Sequence, residues 1–343
     1  MPREALPRLD THPDLHAALL PYCRLGVGDI WEDEASGHRV GVIDAGDTAS
    51  VQRLTGGHRY GLSIHDPPYN VHISGAGGGS GTGVRGGTGV RGGTGARGGT
   101  GGAGAAMPAL AARSPEAYLA FSRAWISNAV SVLADHAHFY LWTGADQRAG
   151  FHPLPELMLL LREFEELDAR SMITLRNQRG YGTSRNWMAV RQELLYYTRG
   201  TPPFEVQYTA IPRLLRGYYK TVGGARTENG ARNRSPFIRP GNVWVDLQQV
   251  FYRLEENVPG AYAQKPLDAV RRIIRSAPTA SVLDLFAHSG TTLLAAEIEG
   301  RRCDTADIDP VFAEITIRRL EHYRRAGRTG WQWHSPFPEA EPG

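Results

Sequence analysis

The sequence predicts an α/β fold built on a doubly wound, mostly parallel, Rossmann-like sheet, and three observations lead there. From Ser114 to Tyr197, short apolar runs alternate with apolar positions at helical spacing, which is the rhythm of crossover units. Residues 281–285 form an apolar run that turns tightly through Phe286-Ala287-His288-Ser289-Gly290 into a helical pattern over 291–299, closed by Gly300. A second apolar run, 302–306, then ends on Asp307. Strand, turn, helix, strand and acid in that order describe a nucleotide-type site at the carboxyl edge of a parallel sheet.

Length and composition set the outer limits. A chain of 343 residues can bury one large core, or one core with a small lobe, and 41% hydrophobic with 21% charged residues marks a globular protein. The formal net charge of +3 is compatible with a polyanionic partner. Cys23 and Cys303 make neither a disulfide framework nor a metal-ligand pattern, so no metal is expected. No apolar run approaches about 18 residues and no signal-peptide pattern opens the chain, so the expected location is the cytoplasm.

Taken in order, residues 1–24 hold Pro7, His12, Pro13 and His16 without ligand spacing, and are expected to be a flexible or docking arm free of chemistry. Residues 25–200 form the first half of the main domain. Within it, 40–62 is a set of short apolar runs broken by glycine, expected as edge strands and turns, and its last strand delivers Asp66. Two prolines after Asp66 force the backbone to turn. Residues 75–106 repeat Gly-Thr-Gly-Val/Ala-Arg-Gly with Arg85, Arg91 and Arg97 in Arg-Gly-Gly units, too glycine-rich to bury a core, and are expected to be disordered. This insertion reads either as a basic flap on nucleic acid or as a tolerated low-complexity loop; the second reading is preferred.

Ser114-Pro115-Glu116 starts a helix that should run to about 134, with Tyr118, Phe121, Trp125 and Val132 on its apolar face. A strand at 137–142, a helix at 155–166 and strands at 171–175 and 192–197 follow. Residues 176–180 form a polar, basic loop at a strand's carboxyl end. Residues 201–242 then break the rhythm: seven basic residues, Arg213, Arg216, Lys220, Arg226, Arg232, Arg234 and Arg239, face two acidic ones, interleaved with Tyr208, Tyr218, Tyr219 and Phe237. Cations for phosphates and planar guanidinium forks for base edges suit a DNA-reading lobe; a solvated loop with aromatic anchors is the other reading. Residues 243–330 form the second half of the domain and 331–343 a tail.

The chemistry gathers at two places. The corner Asp66-Pro67-Pro68-Tyr69 offers acceptors only, a carboxylate and proline-linked carbonyls, matched to an amino group with two N–H donors. An amino nitrogen conjugated to a base ring is a poor nucleophile; acceptors holding both protons favour a pyramidal nitrogen able to attack an electrophilic methyl group. Tyr69 offers a face on which an extruded base can stack. At the second place, small residues around Ser289 and Gly290 let a ligand approach helix N-terminal amides, while Asp307 can accept two ribose hydroxyls.

These residues resemble the amino-methyltransferases of DNA. The resemblance rests on Asp66-Pro67-Pro68-Tyr69, Gln264-Lys265-Pro266, Phe286-Ala287-His288-Ser289-Gly290-Thr291-Thr292 and Asp307-Ile308-Asp309-Pro310, and covers 60–74 and 114–325. It implies S-adenosylmethionine as cofactor, with Phe286, Ser289, Gly290 and Thr291 contacting the methionine part, Asp307 the ribose, Lys265 and Pro266 the approach to the carboxylate, and Asp284, Ala287 and His288 among the cofactor-binding residues. It implies Asp66, Pro67, Pro68 and Tyr69 as the catalytic corner. With the catalytic motif first, the recognition region next and the cofactor loop last, the order resembles the β group of site-specific enzymes, whose sheet is circularly permuted. Duplex DNA is then the partner, with a restriction endonuclease as companion and a monomer or homodimer as the assembly. One departure is His288, where the family usually has glycine.

The expected reaction is methylation of adenine N6, with cytosine N4 as the alternative because Asp at the first motif position is the adenine-leaning choice. No Pro-Cys nucleophile is present for carbon-5 chemistry. RNA as substrate, a catalytically inactive DNA-binding protein and a nicotinamide dehydrogenase are the rival readings; the last does not explain Asp-Pro-Pro-Tyr.

Overall fold

The computed structural model describes residues 6–9, 12–70, 113–144, 151–181, 187, 189–213, 219–228, 235–278 and 281–340. The expected insertion at 75–106 lies outside them. Eleven strands are defined among the described residues: β1 (Ile30–Glu32), β2 (Arg39–Val42), β3 (Tyr60–His65), β4 (Leu133–Thr143), β5 (Asp168–Tyr181), β6 (Ala189–Arg199), β7 (Tyr219–Val222), β8 (Ala225–Glu228), β9 (Val243–Trp244), β10 (Ser281–Asp284) and β11 (Arg302–Asp307). Nine form one sheet in the order β1-β2-β11-β10-β3-β4-β6-β5-β9, and β7 pairs with β8 as a separate hairpin.

The five strands from β2 to β4 in that order are parallel neighbours. Helices cover both faces, as a parallel sheet requires. The helices are α1 (Pro13–Leu19), α2 (Thr48–Thr55), α3 (Pro115–Ser131), α4 (Pro153–Leu161), α5 (Leu267–Ser276), α6 (Thr291–Ile298) and α7 (Pro310–Ala326). On one face Ile273, Leu293 and Ile317 of α5, α6 and α7 pack against Ile64 and Val282. On the other, Leu54, Trp125 and Leu157 of α2, α3 and α4 pack against Leu283 and Leu285. Alternation of Val282 and Leu283 between the two faces is the period of two that a doubly covered strand needs.

The predicted start of α3 holds: Ser114 Oγ accepts from Ala117 N at 3.2 Å, with Pro115 in the first turn. Three expectations are corrected. First, β6 runs antiparallel between β4 and β5, so the rhythm from 114 to 197 is not crossover units throughout; β5 continues parallel to β4 but one strand removed, and β6 returns as its hairpin partner. Second, 40–62 contains a helix, α2, capped by Asp47 on Ser50 N at 3.0 Å and ended by Gly56 at φ 57°; β2 is interior, between β1 and β11.

Third, residues 176–180, expected as a loop, continue strand β5. Of the two expectations for the arm, docking is the one that holds. Leu9 and Leu19 are fully buried with Val311, Ile315 and Phe337, so the described parts of the arm and of the tail, up to residue 340, close over α7. The His16 ring nitrogen Nε2 bonds both oxygens of Asp309 at 2.8 and 2.9 Å, and Arg24 Nε donates to Glu314 Oε2 at 3.0 Å.

Candidate active site

The carboxyl ends of four parallel strands supply the site, as expected for an open α/β sheet. Strands β3 and β10 are direct neighbours, with Leu62 opposite Val282 and Ser63 opposite Leu283. The two motif stretches, over 200 residues apart in the chain, therefore leave the sheet side by side. A cavity of about 270 Å³ opens there, lined by Asp66, Pro67, Pro68 and Tyr69 from one motif and by Phe286, His288 and Asp307 from the other, with Lys265 between. A smaller hollow below it is lined by Asp284, Ala287, Ser289 and Thr291, and shares Asp66, Lys265, Phe286 and His288.

At the Asp66 corner, the Tyr69 hydroxyl donates to Asp66 Oδ1 at 2.6 Å and the Lys265 ammonium donates to Asp66 Oδ2 at 2.6 Å. Both carboxylate oxygens are thus aimed by side chains. Burial, with the Asp66 charge beside it, pushes the Tyr69 phenol well above its ordinary range, so the hydroxyl remains a donor. The resemblance implied Lys265 at the approach to the cofactor carboxylate; its ammonium sits on Asp66. Asn70, at φ 56°, donates from Nδ2 to Arg113 O at 3.0 Å and accepts from Arg113 N at 2.7 Å, joining the two flanks of the segment 71–112.

On the cofactor side, small residues are needed for a reason. Gly290, at φ 72°, would place a Cβ 2.9 Å from Thr316 Cα, so no larger residue fits between the turn and α7. His288 holds φ 45° without being glycine, its ring 4.7 Å from that of Phe312. Its backbone N–H donates to Asp307 Oδ2 at 2.8 Å, and Asp309 N donates to Asp307 Oδ1 at 3.0 Å. Each carboxylate oxygen keeps lone-pair capacity for a further donor. Burial, reinforced by Asp309, pushes Asp307 up to about 7; burial does the same to Asp284, whose Oδ1 accepts from Phe286 N at 2.9 Å. Pro266 is the N-cap of α5 and lines neither hollow.

Several contributors were missed. Arg319, fully buried on α7, donates to Ser289 O at 2.8 Å, Thr291 Oγ1 at 3.0 Å, Thr329 O at 2.7 Å and Glu256 O at 3.1 Å, and so fixes the turn from below. An arginine among Ile315, Ile317 and Leu320 was the available signal. Asp44, Arg8 and Arg113 also line the cavity. Arg8 stacks 3.8 Å over the Tyr262 ring and Arg113 3.9 Å over Phe121, which gives the arm a place in the site it was not expected to have.

A DNA methylase family model of the N6/N4 amino-methyltransferase type matches residues 61–318. The chain belongs to this family. Type II methyltransferase M.HpaI of Haemophilus parainfluenzae is 25% identical over 206 residues, and the match spans 60% of each chain. Among solved structures, the M1.HpyAVI–SAM complex is 12% identical with a TM-score of 0.47, covering 82% of this chain and 98% of that one. The cytosine-N4-specific PvuII DNA methyltransferase is 13% identical with a TM-score of 0.47, covering 81% and 84%.

The described members of the basic set expected for recognition lie outside the cavity lining. Lys220 and Arg226 lie on the exposed β7–β8 hairpin, Arg226 stacking 4.3 Å over Tyr219; Arg239 is exposed, and Arg213 is half-buried. Arg216, Arg232 and Arg234 lie outside the described residues.

Proposed function

We propose that this DNA methylase transfers a methyl group from S-adenosylmethionine to the exocyclic amino nitrogen of a base flipped from duplex DNA, adenine N6 in preference to cytosine N4. One observation carries the reading: the Asp66 corner and the 286–290 turn leave adjacent parallel strands and share one cavity. Asp66 at the first motif position supports adenine.

The cavity suits the cofactor. Gly290 lets the turn pack directly on Thr316 of α7, Phe286 gives an apolar wall, and Asp307 faces the cavity as a ribose acceptor. The cofactor supplies an electrophilic methyl on a sulfonium sulfur, and the C–S electron pair stays with sulfur when that bond breaks. Asp66 accepts one amino N–H and the Pro67 carbonyl the other, so the nitrogen lone pair is freed to form the new N–C bond. The displaced amino proton passes to the Asp66 carboxylate and then to water. The incoming amino group takes the place of the Tyr69 hydroxyl on Asp66 Oδ1, and the Tyr69 ring stacks on the base. Lys220, Arg226, Arg239 and Arg213, with Arg216, Arg232 and Arg234, bind the DNA backbone and base edges.

The test is to incubate the protein with unmethylated genomic DNA and S-adenosylmethionine, digest to nucleosides and identify products by mass spectrometry, with Asp66→Ala alongside. N6-methyladenine that disappears in the variant is the expected result. N4-methylcytosine would change the base, and product undiminished in the variant would remove Asp66 from the reaction. No methylated nucleoside despite cofactor binding would favour RNA or a non-catalytic DNA-binding role.

A further inference from the structure

Lys265 belongs by sequence to the cofactor half, but its charge points across the cavity floor into the catalytic half. Its backbone is fixed from both sides. The Gln264 amide donates from Nε2 to Glu256 O at 2.7 Å and accepts from Val258 N at 3.0 Å, Ala263 holds φ 62°, and Pro266 caps α5. The Lys265 carbonyl in turn accepts from Thr291 Oγ1 at 3.4 Å, at the first residue of α6. The side chain is 6% exposed. Its ammonium reaches Asp66 Oδ2 at 2.6 Å and Ala263 O at 3.3 Å, and lies 5.4 and 5.6 Å from the ring centroids of Tyr69 and Trp142. A carboxylate and an aromatic face from the corner after β3, with a second aromatic face from β4, thus lie around the charge.

We propose that Lys265 is a positioning residue that acts through Asp66, fixing the carboxylate that must receive the amino group, and that it is not the ligand of the cofactor carboxylate. The proposal rests on the methyl-transfer reading above. It follows from direction and occupancy: the ammonium already spends two of its three donors on Asp66 Oδ2 and Ala263 O, and turning it towards a cofactor anion would leave Asp66 held by the Tyr69 hydroxyl alone. It also gives the two motifs a direct electrostatic link, since the residue that holds Asp66 is itself tied to the start of α6.

The test uses the full chain with Lys265→Met, Lys265→Arg, Asp66→Asn and the Asp66→Asn, Lys265→Met pair. Calorimetry with S-adenosylhomocysteine reads cofactor-site affinity, methyl transfer to DNA reads kcat, and thermal unfolding reads stability. Lys265→Met should lower kcat by on the order of 100-fold with cofactor affinity within about threefold of wild type, and Lys265→Arg should recover most of that loss. Adding Lys265→Met to Asp66→Asn should cost no further kcat, because the second change removes a partner already lost.

The proposal is overturned if Lys265→Met weakens S-adenosylhomocysteine by about tenfold or more with kcat retained at saturation, or leaves both unchanged. Should the wild-type chain methylate nothing, the functional reading fails separately. The pairing is then decided by unfolding: non-additive Tm losses across the four proteins support it, and additive ones reject it. The pair also covers a failure of the single variant to fold, because the double substitution leaves no unpaired buried charge.

Discussion

The backbone N–H of Leu285 donates to Nδ1 of His65 at 3.2 Å, while the Nε2 atom of the same ring bonds the Ser63 hydroxyl at 2.6 Å. One imidazole therefore joins the strand that ends at Asp66 to the strand that ends at the cofactor turn. The accepting Nδ1 assigns the proton to Nε2, and burial holds the ring neutral by pulling its pKa down to about 3. Trp125, Phe139 and Phe286 enclose it with ring centroids 5.2, 5.5 and 6.2 Å away.

Replacing His65 by Leu fills the space but leaves the Leu285 N–H and Ser63 hydroxyl buried without this partner. A loss of about 2–4 kcal/mol is expected, measured by urea unfolding. A change below about 0.5 kcal/mol would show that the bridge contributes nothing.

His288→Gly should be neutral or stabilising, and activity should be kept. The native φ of 45° strains any side-chain-bearing residue by about 1 kcal/mol, and glycine removes that strain while losing the contact with Phe312. Thermal unfolding and methylation assays decide it; complete loss of activity would show that the imidazole takes part in chemistry.

Arg319→Met should cost more than the loss of a surface arginine, about 3 kcal/mol or more, because the buried Ser289 carbonyl and Thr291 hydroxyl and the part-buried Thr329 carbonyl lose this donor together. S-adenosylhomocysteine affinity should fall as well, since the Ser289 carbonyl and Thr291 hydroxyl shape the turn. Full affinity in the variant would show that the turn holds its shape without the guanidinium.

Cofactor affinity should rise with pH through about 7. Asp307 and Asp284 have folded-state pKa values raised to about 7, so the free protein holds protons there that the unfolded chain releases near 4. Their contribution to stability is present at low pH and is lost as pH rises between about 4 and 7. Ribose hydroxyls donate best to an ionised Asp307, so binding should release protons near pH 6–7, seen as buffer-dependent heats in calorimetry. Affinity that is flat from about pH 6 to 8 would contradict this.

Removing residues 77–104 should leave the cavity and its activity in place, because Asn70 and Arg113 close the base of the segment by two reciprocal hydrogen bonds. Methylation rate and DNA affinity at several salt concentrations measure this. Weaker DNA binding with a shallower salt dependence would assign the insertion's arginines to phosphates.

What was legible in the sequence depended on local patterns. The turn at 286–290, the acid at Asp307 and the corner at Asp66 are each specified by neighbours in the chain, because tight turns and strand ends demand particular residue types. Helix α5 was legible too, in the spacing of Leu267, Val270, Ile273 and Ile274, but it went unread beside the more conspicuous motif that precedes it. Helix α2 was hidden by the short glycine-broken runs around it.

Other features had no local trace. The antiparallel placement of β6 comes from its hairpin with β5 and its pairing with β4, and apolar runs carry no strand direction. The ion pair of Asp66 with Lys265, the His65 bridge, the buried Arg319 and the docked arm all join residues distant in the chain. The sequence by itself determined which chemical groups the protein carries and that an α/β sheet would present them. Only the tertiary structure decided which groups meet, because that depends on β3 and β10 lying side by side, a register set by packing on both faces of the sheet.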